Sequence, residues 1–299
     1  VVGFILYLVL LFSINIPVVF SVNRLTSLWT RLGYILLITF ILLAIPPVTY
    51  HGMNAVENTI FNLSNGFLAL LLLSLALKSW NYTWRPNLPI GKNKPYQILG
   101  GVIILFYMLW FPLFNSLIRS ALTWSEVFGN WGYALSQLNF ELVYVGYALS
   151  TGLIEESFRY GFMLLLLSSF KTRPLAKAII ISSATFALLH FTNLSLGWDF
   201  ISAAYQVVGA FGISLAIVTI YLYTGKLYLA IAMHTLIDLM GYMLYLTPNL
   251  LSSYAGFLNG FSIILLKMVV NILFFIFFMT GKRRQVIKQN AKEMITLKN

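Results

Sequence analysis

The amino-acid sequence predicts an all-α membrane protein, a polytopic bundle of eight or nine transmembrane helices. Of its 299 residues, 60% are hydrophobic and 9% charged, against about 25% charged in a soluble domain. Apolar runs near the roughly 20 residues that cross a hydrocarbon layer as a helix recur from end to end. The connections between them are short and polar. Residues 1–280 are therefore expected to form a single transmembrane domain, followed by a basic tail at 281–299.

Taken in order, the spans are expected at 1–20, 32–50, 60–77, 98–118, 138–169, 175–195, 200–223, 227–246 and 258–280. The run from Val1 to Phe20 reads as a signal anchor, because it is evenly apolar and lacks the small-residue cleavage site of a removed signal peptide. The third span is the most polar at its start, with Asn62, Ser64 and Asn65. The tail KRRQVIKQNAKEMITLK reads as a stop-transfer flank rather than as a dedicated lipid-binding segment.

With nine spans, sixteen Lys and Arg residues fall in loops and tail on one side and only Arg119 on the other. That asymmetry makes the basic side, with the C-terminus, cytoplasmic. The net charge of +11 is thus accounted for by orientation in a bilayer and gives no reason to expect a nucleic-acid partner. The chain has no cysteine, which excludes a disulfide framework, a thiolate metal site and a Cys nucleophile. This and the Ile, Leu, Asn and Lys bias suit a bacterial plasma membrane.

A charge at the centre of a span costs about 2.5–3.5 kcal/mol on insertion scales, so those that persist pair together or line a functional cavity. Here they are Glu155, Glu156, Arg159, His190, His234, Asp238 and Lys267. Arg159 lies one helical turn beyond the glutamates and can pair with either. Phe186 and His190 are four apart, as are His234 and Asp238, so each pair shares a stripe of its helix. Counted inward from the basic end at about 1.5 Å per residue, Glu155 and His190 reach the same depth, with His234 and Asp238 a turn or two nearer the cytoplasm. Lys267, alone in the last span, is expected to snorkel or pair locally. Each motif has a purely structural explanation, a salt-bridge staple or a hydrogen-bonded core histidine; it is their coincidence on neighbouring helices that points to a site. The same residues also suit zinc, since one Glu and two His with an open water position form a known catalytic set.

Three segments, EESFRYG at Glu155 to Gly161, FALLHFTN at Phe186 to Asn193 and HTLID at His234 to Asp238, resemble the CPBP family, the CAAX protease and bacteriocin-processing (Abi) intramembrane endopeptidases. The resemblance covers about residues 138–246. The family's first motif reads EExxxR, whereas here Arg159 comes one position sooner. Aligning on the glutamates makes Glu155 the catalytic carboxylate and leaves Glu156 to pair with Arg159. The family's third motif ends in Asn or Asp, here Asp238.

The resemblance implies an intramembrane endopeptidase acting on a hydrophobic or lipidated peptide, in CAAX-type, bacteriocin or signal-peptide processing or in self-immunity. It implies that Glu155 and His190 hold the attacking water and that His234 and Asp238 serve the oxyanion, with Glu156, Arg159, Phe186 and Asn193 in support. The family has been described both as a zinc metalloprotease, for which Glu155, His190 and His234 would be the ligands, and as a metal-independent glutamic protease; no cofactor is the reading adopted. The competing classes are a catalytically silent protease-like scaffold, favoured by the shifted Arg159, and a proton-coupled transporter, which lacks the support of an inverted repeat.

Overall fold

The structure, a computed structural model, describes residues 21–43, 53–91, 94–118, 123–129, 131–244 and 254–295, with Leu6, Val9 and Ser13. The expected first span otherwise lies outside the described residues. Among the described residues, eleven α-helices follow a 3-10 turn at Val22–Arg24. They are α1 (Leu28–Leu43), α2 (Ala55–Ser79), α3 (Ile98–Leu117), α4 (Trp124–Gly129), α5 (Trp131–Ser136), α6 (Leu142–Ser169), α7 (Pro174–Leu189), α8 (Phe200–Thr224), α9 (Leu227–Met243), α10 (Tyr254–Phe278) and α11 (Gly281–Met294). A second 3-10 segment, His190–Leu196, continues α7.

Among the described residues five helical segments are long and apolar enough to cross a membrane: Ala55–Ser79, Ile98–Leu117, Pro174–Ser195, Phe200–Thr224 and Phe261–Phe278. With 28 residues α6 has ample length but carries Glu155, Glu156 and Arg159, and α1 and α9 are shorter apolar helices. The chain is thus an all-α membrane bundle. Its helix ends follow ordinary capping chemistry. At α2 the Asn54 side chain accepts from the Glu57 N–H at 2.9 Å while Glu57 accepts from the Asn54 N–H at 3.1 Å, a reciprocal capping box. Gly225 ends α8 with φ +70°, a left-handed position that suits glycine. The polar start of the third span is tolerated because its side chains bond back along their own helix: Asn62 donates to Asn58 O at 2.7 Å and Ser64 to Phe61 O at 2.6 Å.

Helix α6 is the axis of the bundle, packed by α1, α2, α7 and α9, and every residue from Gly152 to Leu167 is buried. Around it, α8 joins α7 to α10 and α3 lies against α9. Lys267 is buried and bonded rather than snorkelling to the surface. Its ammonium donates to Asn115 O at 3.1 Å, capping the last turn of α3, where carbonyls lack partners and the helix dipole favours a cation.

The basic segments gather at one end. Tyr82 bonds Ser168 at 2.8 Å, the Leu88 N–H donates to Gly225 O at 2.7 Å, and Lys94 reaches the tail. The tail is a helix folded onto the bundle, not a loose flank. Val286, Ile287, Asn290, Ala291 and Met294 are buried while Arg284, Lys288 and Lys292 are exposed. Asn290 donates to Leu222 O at 2.8 Å, and Lys94 uses all three ammonium protons, on Pro89 O at 2.7 Å, Asn290 Oδ1 at 2.7 Å and Glu293 Oε2 at 2.8 Å.

Candidate active site

Five ionisable side chains from α6 and α9 meet in the middle of the bundle. Glu155, Glu156 and Arg159 project from the enclosed half of α6, where i, i+3 and i+4 positions share a face. Arg159 Nη2 stands 3.1 Å from Glu156 Oε1, both side chains 2% exposed. His234 lies between the two acids, Nδ1 2.6 Å from Glu156 Oε1 and Nε2 3.2 Å from Glu155 Oε2, and Nε2 is also 3.7 Å from Asp238 Oδ2.

The two glutamates are engaged differently. Glu156 accepts a hydrogen bond from His234 Nδ1 and faces the guanidinium. Glu155 Oε2 is buried with no hydrogen-bond partner. A carboxylate only accepts, so the contact with Glu156 places a proton on His234 Nδ1. The other nitrogen then faces Glu155 and Asp238, and any further proton in the cluster is shared among those three groups.

The second motif enters through Phe186. The Arg159 guanidinium lies 3.9 Å from the centre of its ring, a cation–π contact, while the His190 and His234 rings stand edge-on to it at 5.0 Å and 6.0 Å. The supporting residue of the sequence reading is thus the piece that touches all three helices' contributions. His190 ends α7, with Nδ1 3.2 Å from Phe186 O. That carbonyl can only accept, so Nδ1 carries the proton and Nε2 keeps a lone pair. Asn193, one turn on, donates to Gln206 at 2.6 Å and ties the 3-10 segment to α8.

Two expectations differ from these positions. His234 is level with the glutamates, not a turn or two nearer the basic end. Equal depth counts require helices that end flush, but α6 overhangs α9: its Tyr160 already reaches loop residue Arg85, whose N–H donates to the Tyr160 hydroxyl at 3.1 Å. Both glutamates turn to His234, and His190 forms no ion pair with either. Two neighbours were not singled out from sequence. Gly152 on α6 allows α9 to approach so closely that a Cβ there would stand 2.8 Å from Thr235 Oγ1, and Thr235 adjoins His234. Their positions one turn from Glu155 and Glu156 and one residue from His234 are the signal that could have found them.

Among the described residues no three His, Asp or Glu side chains are arranged to hold a metal ion. Glu155, His190 and His234 do not fit zinc as placed, since both His234 nitrogens are turned to carboxylates.

No curated protein and no solved structure is similar enough to the chain to match it. A family model, type II CAAX prenyl endopeptidase Rce1-like, matches residues 137–240. That segment, about a third of the chain, runs from the approach to α6 to the end of α9 and contains every residue of the cluster. Over this segment the chain is similar to the CAAX prenyl endopeptidases, in keeping with the resemblance of its three motifs to the CPBP family.

Proposed function

We propose that the protein is an intramembrane endopeptidase that hydrolyses a peptide bond in a hydrophobic or lipidated peptide, with Glu155 as the base that activates water. One observation carries the choice of residue: Glu155 has a buried carboxylate oxygen with no hydrogen-bond partner, 3.2 Å from His234 Nε2, whereas Glu156 is occupied by His234 and Arg159. A base must have a free acceptor within reach of the proton it takes. The shifted Arg159 serves in this reading as the counter-ion of Glu156.

The reaction then runs on the chain's own residues. Water held by Glu155 and the His190 Nε2 lone pair attacks the carbonyl carbon and its proton passes to Glu155. The carbonyl oxygen gains the negative charge and takes a hydrogen bond from His234 Nε2–H, with Asp238 steadying that proton. Collapse breaks the C–N bond, and the amine leaves with the proton from Glu155. Donors aimed at developing charge in a dry site contribute about 10²–10³-fold each. Neither step requires a metal or other cofactor. The basic end, with the tail, is placed in the cytoplasm, in keeping with the Lys and Arg asymmetry and with a bacterial plasma membrane.

The test is cleavage of a panel of hydrophobic and prenylated peptides by the purified, reconstituted protein. Cleavage is expected with the wild type and not with Glu155→Gln. Equal cleavage by both would sink the assignment of the base, and a panel left intact by folded wild type would favour the silent scaffold.

A further inference from the structure

We propose that the site is reached from the end of the bundle opposite the basic loops, through a groove between α6 and α9 rimmed by Tyr144 and Tyr242, and that an extended peptide enters there. The identity of the occupant rests on the protease reading above; the groove itself does not.

Exposure of the charged side chains rises steadily along the bundle axis in that direction: 2% for Arg159 and Glu156, 7% for His234, 11% for Glu155 and 24% for Asp238. On α6 the numbering falls towards that end and on α9 it rises, so both helices lead the same way. A carboxyl facing lipid at mid-depth would cost several kcal/mol, which favours a watery rather than a lipid surrounding for the exposed quarter of Asp238. One turn outward from Glu155, Thr151 is half-buried, whereas every α6 residue from Gly152 inward to Leu167 is enclosed.

The basic end is closed by bonded structure. Tyr160, adjacent to Arg159, accepts from the Arg85 N–H at 3.1 Å, and Tyr221 donates to Arg85 O at 3.1 Å. Trp84 stands edge-on to Tyr160 at 4.7 Å. The loop pairs with the α8–α9 turn on both sides, Leu88 N–H to Gly225 O at 2.7 Å and Leu227 N–H to Pro86 O at 2.8 Å. Arg85 also donates to Glu293 O at 3.1 Å on the tail helix. Entry from this end would break all of these contacts.

The outward face carries matching stripes. Tyr147, Thr151 and Glu155 follow one another at four-residue intervals on α6, as do His234, Asp238 and Tyr242 on α9. Tyr242 stacks on Tyr144 at 5.9 Å and meets Tyr147 edge-on at 5.9 Å. Phenol rings offer an apolar face and a hydrogen-bonding tip together, which suits a peptide whose side chains are apolar and whose backbone is not.

The absence of cysteine makes the test clean. Thr151→Cys and, as a second variant should the first fail to fold, Tyr242→Cys are introduced singly in the full chain, reconstituted in vesicles and treated with a membrane-impermeant maleimide on one face at a time. Lys288→Cys on the exposed face of the tail marks the basic side. Both groove cysteines are expected to react from the face opposite Lys288→Cys and not from its own. Reaction from the Lys288 face, or with a lipid-soluble maleimide only, overturns the groove. A peptide that the protein cleaves should slow labelling of Thr151→Cys. If labelling is side-specific and no peptide slows it, the occupant and the protease reading fall while the groove stands.

Discussion

Glu155 and Glu156 are adjacent in the chain yet address opposite nitrogens of one imidazole, Glu156 at 2.6 Å from Nδ1 of His234 and Glu155 at 3.2 Å from Nε2. Only the first contact is an aligned hydrogen bond. The difference assigns the two acids different work. Replacing Glu155 by Gln keeps its shape and removes its basicity, so cleavage should fall at least about 10²-fold with melting little changed. Glu156→Gln leaves the buried Arg159 uncompensated and should lower stability by about 3–5 kcal/mol. Rates at matched folded amounts, with thermal melts of each variant, check both; the reverse pattern would move the base to Glu156.

Metal removal separates the two mechanisms described for the family. A zinc-bound water disappears with its metal, whereas a water held by Glu155 and His190 does not. Cleavage by the reconstituted protein is expected to survive exhaustive chelation and to gain nothing from added zinc. Loss on chelation with recovery on zinc alone would require both His234 and His190 to rearrange from the positions described.

Gly152 sets the distance between α6 and α9. A Cβ there would stand 2.8 Å from Thr235 Oγ1 and 3.3 Å from Ile231 O, and overpacking of this kind costs about 1–3 kcal/mol. Gly152→Ala should therefore lower both melting temperature and turnover by drawing His234 away from the glutamates. Thr235 Oγ1 is buried without a hydrogen-bond partner, so Thr235→Ala alone should be tolerated. The double variant should recover part of the loss, a coupling measurable as a double-mutant cycle.

The spans among the described residues were legible because length and apolarity are set by the bilayer, and the buried charges because they are few in such a chain. The contacts that distinguish Glu155 from Glu156 were not, since both occupy the enclosed half of one helix and only the approach of α9 separates them. Depth failed as a ruler for His234 because α6 overhangs α9 at the basic end. The tail was read by its charges, yet Val286, Ile287, Asn290, Ala291 and Met294 recur at the spacing of a one-sided helix. Closure of the basic end by Arg85 required partners distant in sequence, Tyr160 and Tyr221, and no local pattern announces such a contact.

Asp199, outside the membrane spans, caps α8 by accepting from the Ser202 N–H at 2.9 Å and the Ser202 hydroxyl at 2.6 Å. These bonds hold its carboxyl below the usual range. A lowered folded value means that the contribution is complete above the ordinary carboxylate range and fades as pH falls through the lowered one. Asp199→Ala should cost about 0.5–2 kcal/mol at neutral pH. Asp199→Asn should retain most of the cap and lose that part of the acid dependence, as melts across pH 2–7 would record.

Lys94 finds two of its three acceptors in Asn290 and Glu293, residues the ribosome adds after the helices that build the site. Through synthesis of every helix before the tail, that ammonium, the Arg85 loop beside it and the end of α8 lack their final partner. Completion of the basic end thereby waits for the tail helix. A nascent chain cut short after α10 would have its charged cluster in place but an unfinished inner end, distinguishable to the cell's proteolytic surveillance from a finished molecule.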